Sequence, residues 1–322
     1  MKRKFSAEGV MHAYQRTVSG FNLFYTLEDF IVYYTIVAVE AKKFRIRLMG
    51  LCMMIDHIHM LLRAGKRTDM SNFISACSSL YVREFNAQIG RRGKLFESSF
   101  GSAVKLGSKK IRSAIAYLFN NPVEKMLCKR AEEYRWNFLA YYANELPFST
   151  RPKHMSRKIK RSISLIDEEF KNGRHLRYAL LDIIFKNTNN EEKMFLIDYI
   201  ISKYFPFEKD ELIGYYKSYK DMLTAVNSNT GSEYEIAEKH YCKNDTAYRE
   251  IIFALQKDGC SDIRKVITMP EDKKVRYMTL MKKLTSASNI QLRKFFHLAN
   301  QEAKSTSQAE TAKTLTTNKL NK

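Results

Sequence analysis

Residues 52–62, CMMIDHIHMLL, constrain this chain more than any other stretch. Two histidines, His57 and His59, stand two apart inside an apolar run. On a strand, successive side chains point to opposite faces, so both imidazoles leave one face while Ile58 leaves the other. Titratable rings on a buried strand are costly without a partner. Two neutral imidazoles so placed can grip one divalent cation, and the fold must supply a sheet to carry them.

The flanking sequence supplies one. Residues 12–18 alternate as a strand, and residues 27–43 place Phe30, Tyr33, Tyr34 and Val37 at helical spacing. Residues 44–54 and 57–62 read as two strands joined by a tight turn at Ile55 and Asp56. Residues 70–88 form a second helix ended by Gly90, residues 98–106 a further strand, and residues 109–120 a third helix. Pro122 stops that helix, because proline disfavours helical geometry in the residue before it. The order β-α-β-β-α-β-α predicts an α+β fold with helices on one face of a mostly antiparallel sheet. Eight of the twelve glycines precede residue 110, as turns between short elements require.

Beyond Pro152 the texture becomes helical. Residues 149–160, STRPKHMSRKIK, read as a basic linker between a first domain, residues 1–148, and an all-α region, residues 161–300. In that region Leu176, Ala179, Leu180, Ile183 and Ile184 make one apolar stripe. Ser232 with Glu235, and Ser288 with Gln291, have capping-box spacing. Residues 273–284, a TSAS turn and residues 289–299 resemble a helix-turn-helix, with Arg293 and Lys294 on the second helix as candidate DNA contacts. Residues 301–322 are polar and expected to be disordered.

Charge narrows the partner. Lys and Arg number 55 against 34 Asp and Glu, for a net charge of +21 spread over both halves of the chain. Nucleic acid is the commonest polyanion that rewards such a surface, by counterion release. The five cysteines, Cys52, Cys77, Cys128, Cys242 and Cys260, are odd in number and contain no C-x-x-C pair. They exclude a disulfide framework and a thiolate zinc site, and are read as reduced thiols of a cytoplasmic protein. No signal peptide is visible, nor any run of roughly 18 apolar residues, so no membrane partner is expected.

Five blocks then carry a resemblance: HAYQRTVSGFNLFY, CMMIDHIHMLL, YVREFNAQIGRRGKLFESSF, AIAYLFNNPVEKM and EEYRWNFLAYY. Their order and spacing over residues 12–142 resemble the single-tyrosine HUH transposases, specifically the REP-associated group of the insertion-sequence-200-like superfamily. Histidine-triad nucleotide hydrolases share His-hydrophobic-His, but need a third histidine where this chain has Leu61. The resemblance implies an HUH endonuclease domain with a ferredoxin-like or RRM-like core. It places the nucleophile before Asn-Pro-Val, at Tyr117, and a third metal ligand at Asn121 beside His57 and His59. The spacing i, i+4 puts Tyr117 and Asn121 on one helix face. The implied cofactor is a divalent metal, Mg or Mn. The implied reaction is cleavage and strand transfer of single-stranded or hairpin DNA through a 5'-phosphotyrosine, by a monomer or homodimer. Arg91, Arg92 and Lys94 in the GRRGK turn, and Lys105, Lys109, Lys110 and Arg112 around the third helix, are candidate DNA contacts. The chain departs from the pattern twice. Ile55 and Asp56 replace Pro-Asn, and Glu97, Ser98 and Ser99 stand where an arginine is frequent. The alternative is a catalytically idle, domesticated DNA-binding regulator with the same fold.

Overall fold

The protein is described from a computed structural model over residues 5–97, 100–228, 245–260 and 262–298. The chain divides into two compact units, Met1–Val18 with Leu23–Thr246, and Ser19–Asn22 with Ala247–Lys322. In the first unit the strands are β1 (Val10–Arg16), β2 (Arg47–Met53), β3 (His57–Arg63) and β4 (Gly101–Lys105). They form one antiparallel sheet in the order β2-β3-β1-β4. Met54 N–H donates to the His57 carbonyl at 2.9 Å, closing the two-residue turn at Ile55 and Asp56.

Three helices interleave with the strands in the expected order: α1 (Leu27–Lys43), α2 (Arg67–Ile89) and α3 (Ser108–Glu124). Thr26 and Asp29 form a capping box at the start of α1, whose first turn is acidic and last turn basic, as the helix dipole favours. Gly90 ends α2 in the left-handed region, at φ 68°. Pro122 does not stop α3 at residue 120 as the sequence suggests; it lies inside the helix. A proline in the last turn forfeits only its own bond to the carbonyl four residues back, and the backbone continues, with Lys125 N–H reaching the Asn121 carbonyl.

The helices occupy both faces of the sheet, correcting the expectation of one. Register pairs Tyr14 with His59 and Arg16 with His57, so His12, Tyr14 and Arg16 share the histidine face while Met11, Ala13 and Gln15 share the other. On the Gln15 face, Ser78 of α2 donates to Gln15 Oε1 at 2.8 Å, and α1 packs beside α2 with Tyr33 edge-on to Tyr81. On the histidine face lies α3, with Tyr117 against His12 and His59. Gly50 of β2 admits it: a β-carbon there would come within 3.3 Å of Leu118 and Phe119. The continuous apolar runs of β2 and β3 carry this signal, because a strand buried on both sides does not alternate.

Helices α4 (Arg157–Lys171), α5 (Tyr178–Phe185), α6 (Asn190–Lys203), α7 (Lys209–Ile213) and α8 (Tyr219–Asn227) stay with the sheet. Compact units part near residue 246 and not at 149–160. Buried Asp198 of α6 accepts from Tyr141 Oη at 2.6 Å, Phe148 N–H at 3.0 Å and Ser149 Oγ at 2.8 Å, fastening the start of the expected linker. The end of that linker is already the first turn of α4. In α5 the buried face is Tyr178, Leu181 and Ile184, while Ala179 and Ile183 are exposed. The helix begins two residues later than the periodic reading starts, which turns its face.

The second unit contains α9 (Thr246–Lys257), α10 (Glu271–Leu284) and α11 (Asn289–Phe296), with Ile251, Leu255, Leu292, Phe295 and Phe296 buried. Ser288 and Gln291 form the capping box of α11. Ser232, Glu235, Cys242, Ser98, Ser99 and residues 301–322 lie outside the described residues. Among the described residues Cys52, Cys77, Cys128 and Cys260 are free thiols, and no helix is long and apolar enough to cross a membrane.

Candidate functional site

The hairpin β2–β3 and the central strand β1 bring three imidazoles together. His57 and His59 ring centres are 5.0 Å apart, and His12 stacks on His59 at 5.2 Å. Each ring has a fixed neighbour. His57 Nδ1 lies 2.6 Å from Asp56 Oδ1, and His59 Nδ1 lies 3.1 Å from His12 Nε2. A proton held on each Nδ1 leaves each Nε2 as a lone-pair donor. His12 itself is fully buried; burial, and then the nearby charge of Lys105, lowers its pKa to about 3. It therefore meets His59 as a neutral ring.

Helix α3 completes the cluster. Tyr117 sets its ring edge-on to His59 at 5.4 Å and to His12 at 5.6 Å. One turn later, Asn121 Nδ2 is 3.4 Å from His59 Nε2. Other buried tyrosines behave differently: the hydroxyls of Tyr34, Tyr81, Tyr134 and Tyr142 each donate to a backbone carbonyl. Tyr117 is set apart by facing imidazoles.

A divalent cation fits this donor set. Among the described residues no group of three or more His, Cys, Asp or Glu could hold a metal, so a cation at His57 and His59 would need a donor of another kind. Asn121 Oδ1 is buried and has no hydrogen-bond partner among the described residues. Two imidazoles and an amide oxygen suit a borderline-to-hard ion such as Mn or Mg.

The basic candidates are scattered around the unit. Lys105 is buried at the end of β4, opposite Val10 on the histidine face. Lys109, Lys110 and Arg112 are exposed on the first turns of α3, and Arg92 and Lys94 are exposed in the turn after α2. Arg91 is committed to that turn, donating to Asn86 Oδ1 and to the Gly93 and Lys94 carbonyls. Arg293 and Lys294 are half-buried on α11 in the second unit. Sequence reasoning left out the contacts of His12 and the hold of Asp56 on His57. It also passed over Tyr14 and Arg16, which share the parity of His12 on β1 and could have been found by it.

Residues 24–121 match the model of the family described as transposase, IS200-like. Those residues, under a third of the chain, are similar to the IS200-like transposases. The matched segment runs from the approach to α1 as far as Asn121, so it contains His57, His59 and Tyr117, while β1 lies before it. A solved structure of a REP-associated tyrosine transposase bound to a REP hairpin also matches, at 12% identity and a TM-score of 0.38, covering 48% of this chain and 94% of that one. No curated protein matches.

Proposed function

We propose that this IS200-like transposase domain is a metal-dependent single-strand DNA endonuclease and strand transferase with Tyr117 as nucleophile. The observation that carries this reading is the packing of Tyr117 against His59, on the sheet face that also presents His57. The Tyr117 oxygen attacks the scissile phosphorus, a 5'-phosphotyrosine bond forms, and the bond to the 3'-oxygen breaks, with that oxygen taking a proton. A second 3'-hydroxyl then attacks the phosphotyrosine, joining strands and returning the phenol. The diester energy is kept in the covalent link, so no ATP is needed.

His57, His59 and Asn121 would hold the divalent cation, Mg or Mn, which supplies Lewis-acid polarisation of the phosphate oxygens. Asp56 and His12 keep the two imidazoles turned toward one point. The exposed cations Lys109, Lys110, Arg112, Arg92 and Lys94, with Lys105, draw in the backbone, and Arg91 shapes the turn. Arg293 and Lys294 are a second candidate surface for DNA. Single-stranded or hairpin DNA suits the site, because an unstacked backbone reaches a side chain packed against a sheet and a regular duplex does not.

Labelled single-stranded DNA bearing a hairpin, incubated with the protein and Mn, is expected to give a covalent adduct on a denaturing gel. Tyr117→Phe should abolish the adduct, as should EDTA or His57→Ala. Absence of any wild-type adduct, with a retained shift on a native gel, would leave the idle DNA-binding regulator in its place.

A further inference from the structure

The chemistry proposed above uses His12, His57, His59 and Lys105 of the histidine face together with Tyr117 and Asn121 of α3, and gives no role to Tyr14 and Arg16. Both are on β1, the strand next to β3, and they project from the same face as His12. Tyr14 is directly across from His59 and Arg16 directly across from His57. Tyr14's ring centre is 6.3 Å from that of His59, and the Arg16 guanidinium carbon is 5.9 Å from the Tyr14 ring centre. The imidazoles are buried, whereas Tyr14 and Arg16 are half-exposed, so the face opens to solvent where these two stand.

We propose that Tyr14 and Arg16 seat the DNA strand beside the cleaved phosphate, Arg16 taking a backbone phosphate and Tyr14 a stacked base. This rests on the nuclease reading and extends it. Charge is the first argument. Arg16 places a permanent cation directly across from His57, at the open end of the histidine face. A phosphodiester is the anion whose oxygens match the planar fork of arginine. Steric fit is the second. A β-carbon at Gly101, the β4 partner of Tyr14, would overlap the Tyr14 ring and its hydroxyl. Glycine there lets the ring lie across the edge strand with its outer side available, as a stacking platform requires.

The test measures binding of a fluorescein-labelled single strand by anisotropy across salt, in EDTA, so that the metal ligands play no part. Arg16→Ala should weaken Kd by about tenfold and flatten the salt slope by about 0.7, the share of one single-strand phosphate. Arg16→Lys should keep the slope. Tyr14→Ala should weaken Kd by roughly tenfold with the slope unchanged, and should abolish quenching of 2-aminopurine placed next to the cleaved position. Tyr14→Phe should retain both. Gly101→Ala, which displaces the ring and leaves the tyrosine present, should reproduce Tyr14→Ala. The proposal is overturned if Arg16→Ala and Tyr14→Ala melt like wild type and bind with wild-type Kd, slope and quenching. In that event the Tyr117 adduct in wild type shows that the nuclease reading survives alone. If wild type forms no adduct and binds no single strand, both fall together.

Discussion

His12 stays uncharged wherever the folded protein is handled, because burial lowers its pKa to about 3. In the unfolded chain the same ring titrates near 6.5. A depressed pKa makes a stabilising contribution that is complete above about 6.5 and is lost as pH falls toward 3, at up to about 1.4 kcal/mol per pH unit. Urea denaturation at pH 7, 6 and 5 should show this decline, and His12→Asn should lose part of it. Asp56 acts on the neighbouring imidazole of the proposed metal site. Removing the carboxylate from His57 Nδ1 with Asp56→Ala should weaken Mn binding about 10- to 100-fold in a titration followed by electron paramagnetic resonance, and Asp56→Asn should cost less. Tyr117 and the histidine pair were legible in the sequence because each sits in a recognisable block. Arg16 was not, because the residue across a strand is set by register, and β1 finds β3 only after a helix and another strand have intervened.

At the scale of elements, the free edge of β2 is closed by groups from far along the chain. Tyr134 Oη donates to the Met53 carbonyl, Tyr142 Oη to the Met49 carbonyl, and Glu208 N–H to the Leu48 carbonyl. An edge strand left open would invite pairing with another chain. Tyr142→Phe leaves the buried Met49 carbonyl unpaired and should cost about 1–3 kcal/mol in denaturant unfolding, with Tyr134→Phe similar. Asp198→Ala should cost more, about 3–5 kcal/mol, because Arg135, 3.2 Å from that carboxylate, is then left nearly buried without its anion. The order of strands and helices was readable from periodicity and turn residues. The side of the sheet taken by α3 was not, since β2 and β3 are apolar on both faces and a helix can pack on either. Nor was its end, since a proline bars its own bond and not the turn already formed.

For the whole molecule, the arrangement within one chain bears on a question of assembly. Tyr117 and His59 of the same copy are in contact, so the proposed nucleophile and a proposed metal ligand come from one chain. Mixing Tyr117→Phe with His59→Ala should therefore restore no adduct, whereas exchange of α3 between two copies would restore it. Net charge of +21 predicted a polyanion partner without saying where it binds. Replacing Lys109, Lys110 and Arg112 by Ala should lower the single-strand salt slope by about 2, given about 0.7 for each phosphate lost. The compact boundary was hidden because a polar, basic stretch looks alike whether it spans open solvent or skirts a helix; the grip of Asp198 on Phe148 and Ser149 is invisible until the chain is folded. The strand β1 makes one last demand on the gene. Odd positions face α2 and even positions face the chemistry, so the function depends on counting. Exchange of one amino acid in β1 alters a single contact. A codon gained between His12 and Tyr14 would send every later residue of the strand to the wrong side, directing Gln15 toward the imidazoles and Arg16 toward Ser78.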